Sequence, residues 1–185
     1  MPDRLASLQA IETACWSELA CAVQDPDHPW HTPVLATYDG QRAQARTVVL
    51  REINRERREL LVYTDSRSPK VTQLQAHPRG TIVMWSHPHG WQMRLAVNLS
   101  AETDGLAVTS RWAKLKLTPA AQDYLSPLAP GTPLAESVSP PPARAPRGCF
   151  AVINAKVTHI DWLELSAAGH RRAIFDATGA RWVQP

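Results

Sequence analysis

In the first part of the chain, apolar residues recur at the spacing of a single helix face, which predicts an amphipathic helix over residues 3–24. Asp3 is the expected N-cap of this helix, because its side chain can accept a hydrogen bond from the first turn. Pro26 and Pro29 end the helix. The apolar face consists of Leu5, Leu8, Ile11, Cys15, Leu19 and Val23.

After this helix the pattern changes to short strand-like segments separated by turn signals such as Asp39-Gly40. The links between the segments are mostly of hairpin length, which favours an antiparallel barrel with a few flanking helices. A doubly wound fold would need a helix between most strands. The predicted strands are Pro33–Tyr38, Ala43–Ile53, Glu59–Thr64, Thr81–Ser86, Trp91–Ala101, Cys149–Leu165, His170–Asp176 and Trp182-Val183.

Two further helical segments are predicted between the strands, one from Ser68 to Ala76 and one over residues 104–125, where Thr118-Pro119 restarts the helix. The stretch 126–148 is rich in proline, alanine and serine and predicts a long surface loop. We interpret it as part of one domain that covers residues 1–185.

Composition adds little that is specific: 44% of the residues are hydrophobic and 20% are charged, as in ordinary globular proteins. A net charge of +3 and a pI near 9.0 favour anionic partners such as phosphates but do not by themselves indicate nucleic acid. The tryptophans are scattered, so a barrel that binds single-stranded nucleic acid is only a weak alternative. With neither a signal-peptide pattern nor a long apolar span, we expect a cytoplasmic protein without membrane contact.

The three cysteines, Cys15, Cys21 and Cys149, show no metal-like pairing, and we expect buried, reduced thiols. Histidine pairs such as His28 with His31 lack a carboxylate or cysteine at ligand spacing, so no metal site is predicted.

The strongest local motif is the segment from Thr64 to Lys70, where a strand ends and a helix begins. Ser68 suits the N-cap and Pro69 the first helical position. A helix start offers N–H groups to an anion, while Arg67 and Lys70 add positive charge. An ordinary capped helix with two solvated cations explains the motif equally well.

Two strand segments carry weaker signals. In the segment from Arg46 to Arg51, alternation places Arg46 with Val48 and Leu50 on one face, where an arginine needs an anion or a position at the rim. Gln92 and Arg94 share another strand face. A buried glutamine would match the imide edge of a flavin or a nucleobase, although a cross-strand partner on an exposed face explains it too.

Taken in order, these elements resemble the pyridoxamine 5′-phosphate oxidase-like family of FMN-binding split barrels, in its uncharacterised branch. The matching segments are Arg46–Arg51, Tyr63–Lys70, Gln92-Met93-Arg94, Asp161–Leu165 and His170-Arg171-Arg172. The resemblance implies a six-stranded antiparallel split barrel that forms a homodimer and binds FMN at the subunit interface.

The same resemblance implies which residues contact the cofactor. The segment of Arg46, Thr47, Val48, Val49, Leu50 and Arg51 would line the flavin ring, and Gln92 would reach it. The phosphate would be held by Tyr63, Thr64, Arg67, Ser68 and Lys70. From the other subunit, the contacts would be Trp162 and either Arg171 or Arg172, with Arg172 as our choice.

The sequence departs from the oxidase pattern at the substrate site. An Arg-x-His pair holds the vitamin substrate in the oxidases, and His170-Arg171-Arg172-Ala173 lacks it. We therefore expect an FMN-dependent oxidoreductase with an unidentified small substrate. The alternative is a non-catalytic carrier or sensor that binds flavin.

Overall fold

The computed structural model describes residues 4–134 and 149–185. Three α-helices and one 3₁₀ helix surround a set of β-strands in this part of the chain. The helices are α1 Leu8–Gln24, α2 Pro69–Ala76, α3 Gly105–Leu115 and the 3₁₀ helix Pro119–Tyr124. The strands are β1 Val34–Tyr38, β2 Ala43–Thr47, β3 Leu50–Asn54, β4 Glu59–Asp65, β5 Arg79–Ser86, β6 Trp91–Glu102, β7 Phe150–Glu164, β8 Arg171–Asp176 and β9 Gly179–Val183.

All the strand pairs are antiparallel and form one sheet in the order β2-β1-β5-β6-β7-β4-β3, with β8 and β9 added beside β7. This confirms the predicted class, a mainly β antiparallel fold with a few helices. The described residues contain nine strands instead of the expected six. One reason is that the predicted strand Ala43–Ile53 is two strands, because β2 pairs with β1 whereas β3 pairs with β4.

Strand β6 shows how the sheet encloses the core. Its burial alternates along the strand, with Met93, Leu95 and Val97 almost fully buried and Arg94 exposed between them. Burial of each such apolar side chain contributes roughly 1.5–3 kcal/mol. A single core cluster combines this face with residues of α1, α2 and the neighbouring strands. The alternation predicted for Gln92 and Arg94 is therefore confirmed.

Helix α1 begins later than predicted. It starts at Leu8, and the Ser7 hydroxyl accepts a hydrogen bond from the Ala10 N–H at 3.1 Å, so that Ser7 is the N-cap. Asp3, the predicted cap, lies outside the described residues. The apolar face is largely as expected, with Ile11, Cys15 and Leu19 in the core.

The cysteine prediction is only partly correct. None of the three forms a disulfide, but Cys21 is exposed and Cys149 is half-buried, which leaves only Cys15 in the core. Desolvation in the core raises the pKa of the Cys15 thiol, with smaller contributions from Glu12 and Glu18.

Residues 126–134, the described part of the predicted proline-rich loop, form turns and bends without a helix or strand. The rest of that prediction lies outside the described residues. No helix in the described part of the chain is long and apolar enough to cross a membrane. Within the same residues, no group of three or more His, Cys, Asp or Glu is placed to hold a metal ion.

Candidate functional site

Two half-buried cations, Arg46 from β2 and Lys70 from α2, lie close together at one end of the sheet. Lys70 donates from Nζ to Thr64 Oγ1 at 3.1 Å and to Ser68 Oγ at 2.9 Å. Arg46 donates to the hydroxyl of Thr37 at 2.6 Å. We use the name cationic cluster for these two cations and the residues that hold them, which are Thr37, Thr64, Ser68 and Gln73.

The start of α2 positions Lys70. Ser68 is the N-cap residue and Pro69 follows it in the first turn, as the motif predicts. The Ser68 side chain does not cap the helix, however, because its hydroxyl accepts from Lys70 instead. Ser68 and Thr64 are both buried, so the ammonium group is held by two desolvated hydroxyls.

The described residues leave the charges of Arg46 and Lys70 without a directly paired carboxylate, although Asp65 attracts Lys70 without forming an ion pair with it. Among the described residues, neither cation forms an ion pair with a carboxylate. Burial lowers the pKa of Arg46. Burial, and then repulsion by Arg46, lowers the pKa of Lys70. Because burying an uncompensated charge costs free energy, two such groups side by side indicate a site for an anion.

Arg67, which the motif analysis places at the phosphate, is held differently. Its guanidinium pairs with the buried carboxylate of Asp65 at 2.6 Å and also donates to the carbonyl oxygens of Ser126 and Pro127. The pKa of Arg67 is raised, mainly because its guanidinium donates hydrogen bonds to the Asp65 carboxylate. Arg67 is thus already neutralised, in contrast to Lys70.

The predicted segment from Arg46 to Arg51 spreads over several environments. Val48 and Leu50 belong to the core, Thr47 is exposed, and Val49 is half-buried. Only Arg46 of this segment joins the cationic cluster.

Arg51 and Tyr63 lie together on the side of the sheet that faces α3. The Arg51 guanidinium is 5.9 Å from the centre of the Tyr63 ring. Its Nε is buried and has no hydrogen-bond partner among the described residues. An unpaired buried N–H next to an aromatic ring is consistent with a polar ligand at this position.

Tyr63 is fixed in place by an ionic pair between β3 and α3. Its hydroxyl donates to Glu52 at 2.5 Å, and Glu52 also accepts from Arg111 at 2.7 and 2.9 Å. Burial, and then the bond to Glu52, raises the pKa of Tyr63. The hydroxyl therefore stays protonated and acts as a donor at neutral pH.

Gln92 and Arg172 are brought together although 79 residues lie between them in the sequence. Cross-strand pairing aligns Trp85 with Gln92, Gln92 with Leu163, and Leu163 with Arg172. We call these four residues the outer row. Trp85 is 43% exposed, and Arg172 pairs with Asp161 at 2.7 Å. Arg171 projects to the opposite face, where it pairs with Glu164.

Trp162 is not placed with the outer row. Its side chain is fully buried between Trp91 and Trp182, since alternation along β7 turns it to the core face. Contact with a flavin bound to a second subunit would require a surface position, so this placement does not support that prediction. The buried Nε1 of Trp162 has no hydrogen-bond partner among the described residues.

Sequence reasoning missed Thr37 and Gln73, which both hold Arg46. Gln73 follows Lys70 by three residues on α2, a spacing that puts two side chains on neighbouring positions of a helix surface. That spacing could have identified Gln73. Thr37 carries no such signal, because it reaches Arg46 only through the pairing of β1 with β2.

The fold and the cationic cluster together define an antiparallel β protein with a candidate anion site. Residues 13–101 match the family model of the pyridoxamine 5′-phosphate oxidase FMN-binding domain. This match covers just under half of the chain, and it confirms the resemblance found in the sequence. FMN, the expected cofactor, is the cofactor for which the domain is named.

Solved structures agree on the fold. A pyridoxamine 5′-phosphate oxidase-related, FMN-binding protein from Nostoc punctiforme is 22% identical, with a TM-score of 0.74, and the alignment covers 98% of this chain and 100% of that one. PhzG from Burkholderia lata, in complex with tetrahydrophenazine-1-carboxylic acid, is 17% identical with a TM-score of 0.75 over 99% and 98% of the two chains. No curated protein sequence matches the chain.

The residues present fit FMN at its anionic end. A phosphate monoester carries nearly two negative charges at neutral pH, and the cationic cluster offers two positive charges and the hydroxyls of Thr64 and Ser68.

Proposed function

We propose that this protein is an FMN-dependent oxidoreductase that acts on an unidentified small substrate. The observation that carries the proposal is the pair of half-buried cations, Arg46 and Lys70, without a neutralising carboxylate among the described residues. A bound phosphate dianion would supply the missing negative charge. The match to the FMN-binding domain family identifies the molecule that brings this phosphate.

Within the proposed complex, the chain's residues bind and orient the cofactor. Arg46, Thr64, Ser68 and Lys70 hold the phosphate, while Arg51 and Tyr63, which lie on the opposite face of the sheet, offer polar groups to a ligand bound on that face. Arg67 stays on Asp65 and orders the end of the phosphate-binding segment. FMN would supply the redox chemistry by hydride transfer, and the protein would tune it through nearby hydrogen bonds.

We further propose that two copies form the complete site as a homodimer. Arg46 aligns across the sheet with the buried Leu35 and Ile82, so it lies on the core face. Gln92 and Arg172 lie on the opposite, outer face. One protomer therefore does not present both groups to the same ligand, and the outer row of a second copy would complete the site. The exposed ring of Trp85 suits such an interface.

An absorption spectrum of the purified protein, before and after addition of FMN and dialysis, tests the proposal. We expect retained flavin bands and a dimer by light scattering. A protein that stays colourless after exposure to FMN would remove the proposed function. A monomer that nevertheless retains FMN would remove only the dimeric site.

Catalysis is tested separately, by reducing the bound flavin and following its reoxidation with candidate substrates and acceptors. Pyridoxamine phosphate is the first probe. Reoxidation that no candidate accelerates, in a protein that binds FMN tightly, would favour the carrier or sensor alternative.

A further inference from the structure

Among the residues that the structure describes, only uncharged oxygens hold the guanidinium of Arg46. Its Nη1 donates to the Thr37 hydroxyl at 2.6 Å and to the Leu35 carbonyl at 3.3 Å. Its Nη2 donates to the Gln73 side-chain oxygen at 3.0 Å. The group is therefore anchored at three points without losing its charge to a carboxylate.

Gln73 and Thr37 also bind each other. The Thr37 hydroxyl donates to Gln73 Oε1 at 2.7 Å, so this oxygen accepts from both Thr37 and Arg46. The hydroxyl has one proton, which it gives to Gln73 while it accepts from Arg46. The three side chains form a closed ring of hydrogen bonds that connects β1, β2 and α2. Thr37 is only 3% exposed, so the ring is shielded from water on that side.

Most half-buried arginines of this protein have a carboxylate as their partner, whereas Arg46 has an amide oxygen. Of the six other half-buried arginines among the described residues, five are paired with carboxylates and Arg51 is the exception. The five pairs are Arg58 with Glu12, Arg67 with Asp65, Arg111 with Glu52, Arg171 with Glu164 and Arg172 with Asp161. A glutamate at position 73 would offer Arg46 the same acceptor geometry and a stronger attraction. The glutamine instead leaves the charge of Arg46 available, next to that of Lys70.

We propose that Gln73, supported by Thr37, is a positioning residue that sets the preference of this site for a phosphorylated flavin over an unphosphorylated one. This inference rests on the proposed function. Gln73 orients Arg46 toward the ligand through an uncharged acceptor and so preserves both positive charges for the phosphate. This role can be measured without knowledge of the substrate, as the ratio of FMN affinity to riboflavin affinity, because riboflavin lacks the phosphate.

The test is Gln73→Glu in the full chain, with dissociation constants for FMN and riboflavin measured by quenching of flavin fluorescence. The new carboxylate neutralises Arg46 without removing its acceptor. We expect the affinity for FMN to fall by about tenfold or more, since the substitution adds a negative charge a few ångströms from the bound phosphate. The affinity for riboflavin should stay within about twofold.

Gln75→Glu is the matched control, because Gln75 lies on the exposed side of the same helix and the substitution adds the same charge. It should leave the FMN-to-riboflavin ratio close to that of the wild type. Gln73→Met removes the acceptor without adding charge, and we expect a loss of FMN affinity of a few fold with riboflavin unaffected.

The outcomes separate the two proposals. Wild-type protein that binds neither flavin would remove the proposed function and this inference with it. Wild-type protein that prefers FMN, together with a Gln73→Glu variant of unchanged preference, would overturn only the role of Gln73. An equal loss of both flavins, with a lowered melting temperature, would show that Gln73 acts on folding and would also overturn the inference.

Discussion

Two regions of this protein each bring two cations together, and they treat the charges in opposite ways. In the cationic cluster, Arg46 and Lys70 contact hydroxyls, an amide and a backbone carbonyl. At the other region, Arg4 and Arg171 both pair with the nearly buried carboxylate of Glu164, at 2.6 and 2.9 Å. We call this second region the Glu164 cluster.

The Glu164 cluster is complete without a ligand. Its carboxylate also accepts from Trp91 Nε1, and Arg171 lies over the rings of Trp162 and Trp182 and donates to the Leu5 carbonyl. Burial alone would raise the pKa of Glu164, but the bonds from Arg171 and Arg4 lower it overall. These contacts fasten the segment before α1 to the β7–β8 hairpin. The comparison indicates that paired cations here stabilise the fold, whereas the unpaired ones are available for a ligand.

The largest expected effect comes from removal of both unpaired cations. Arg46→Ala combined with Lys70→Ala should weaken FMN binding by about 3–6 kcal/mol, because two charge-assisted phosphate contacts are lost. The free energy of unfolding without ligand should change little or rise, since two half-buried uncompensated charges disappear. Titration with FMN and chemical denaturation measure the two quantities.

Arg42→Ala is the control for this variant, because the Arg42 side chain lies on the same β1–β2 hairpin and is 81% exposed. Its FMN affinity should equal that of the wild type. If the double variant bound FMN as tightly as the wild type, the phosphate would lie elsewhere. The absence of a paired carboxylate would then not mark the ligand site.

The Glu164 cluster should respond in the opposite way. Glu164→Gln should lower the free energy of unfolding by about 2–3 kcal/mol, because two arginines lose their shared carboxylate. FMN affinity should be unchanged. Glu12→Gln is a matched comparison, since its pair with Arg58 is more exposed, and it should cost less than about 1 kcal/mol. Denaturant unfolding of both variants measures these values. If both substitutions lowered the free energy of unfolding by the same amount, the Glu164 pairs would be no more stabilising than the more exposed pair of Glu12.

The smallest effect is a pH dependence that distinguishes the two regions. The pKa of Lys70 is lowered in the free protein by burial and by Arg46, and a bound phosphate would favour the charged form. Binding therefore takes up a proton at alkaline pH, so FMN affinity should fall, by about tenfold at most, as the pH rises through the lowered pKa of Lys70. Lys70→Arg should bind FMN without this alkaline decline, because its guanidinium stays charged. An identical decline in both proteins would assign it to another group.

The sequence alone determined the local elements of the candidate site. The helix start at Ser68-Pro69 and the alternation of Gln92 with Arg94 follow from neighbouring residues, because capping and strand alternation are local properties. The order of these motifs was also sufficient to recognise the resemblance to the family. The expected length of the first helix and the single strand Ala43–Ile53 were wrong, since the N-cap and the exchange of strand partners depend on contacts that a linear pattern does not contain.

Only the tertiary structure decided which charges are neutralised. From the sequence, Arg67 and Lys70 are equivalent candidates, yet Arg67 is occupied by Asp65 and the carbonyls of residues 126 and 127. Strand register places Arg46 against Thr37 and Gln73, brings Arg172 into line with Gln92, and turns Trp162 into the core. The physical reason is that the availability of a charge depends on its nearest partners, and those partners come from strands and helices that are distant in the sequence.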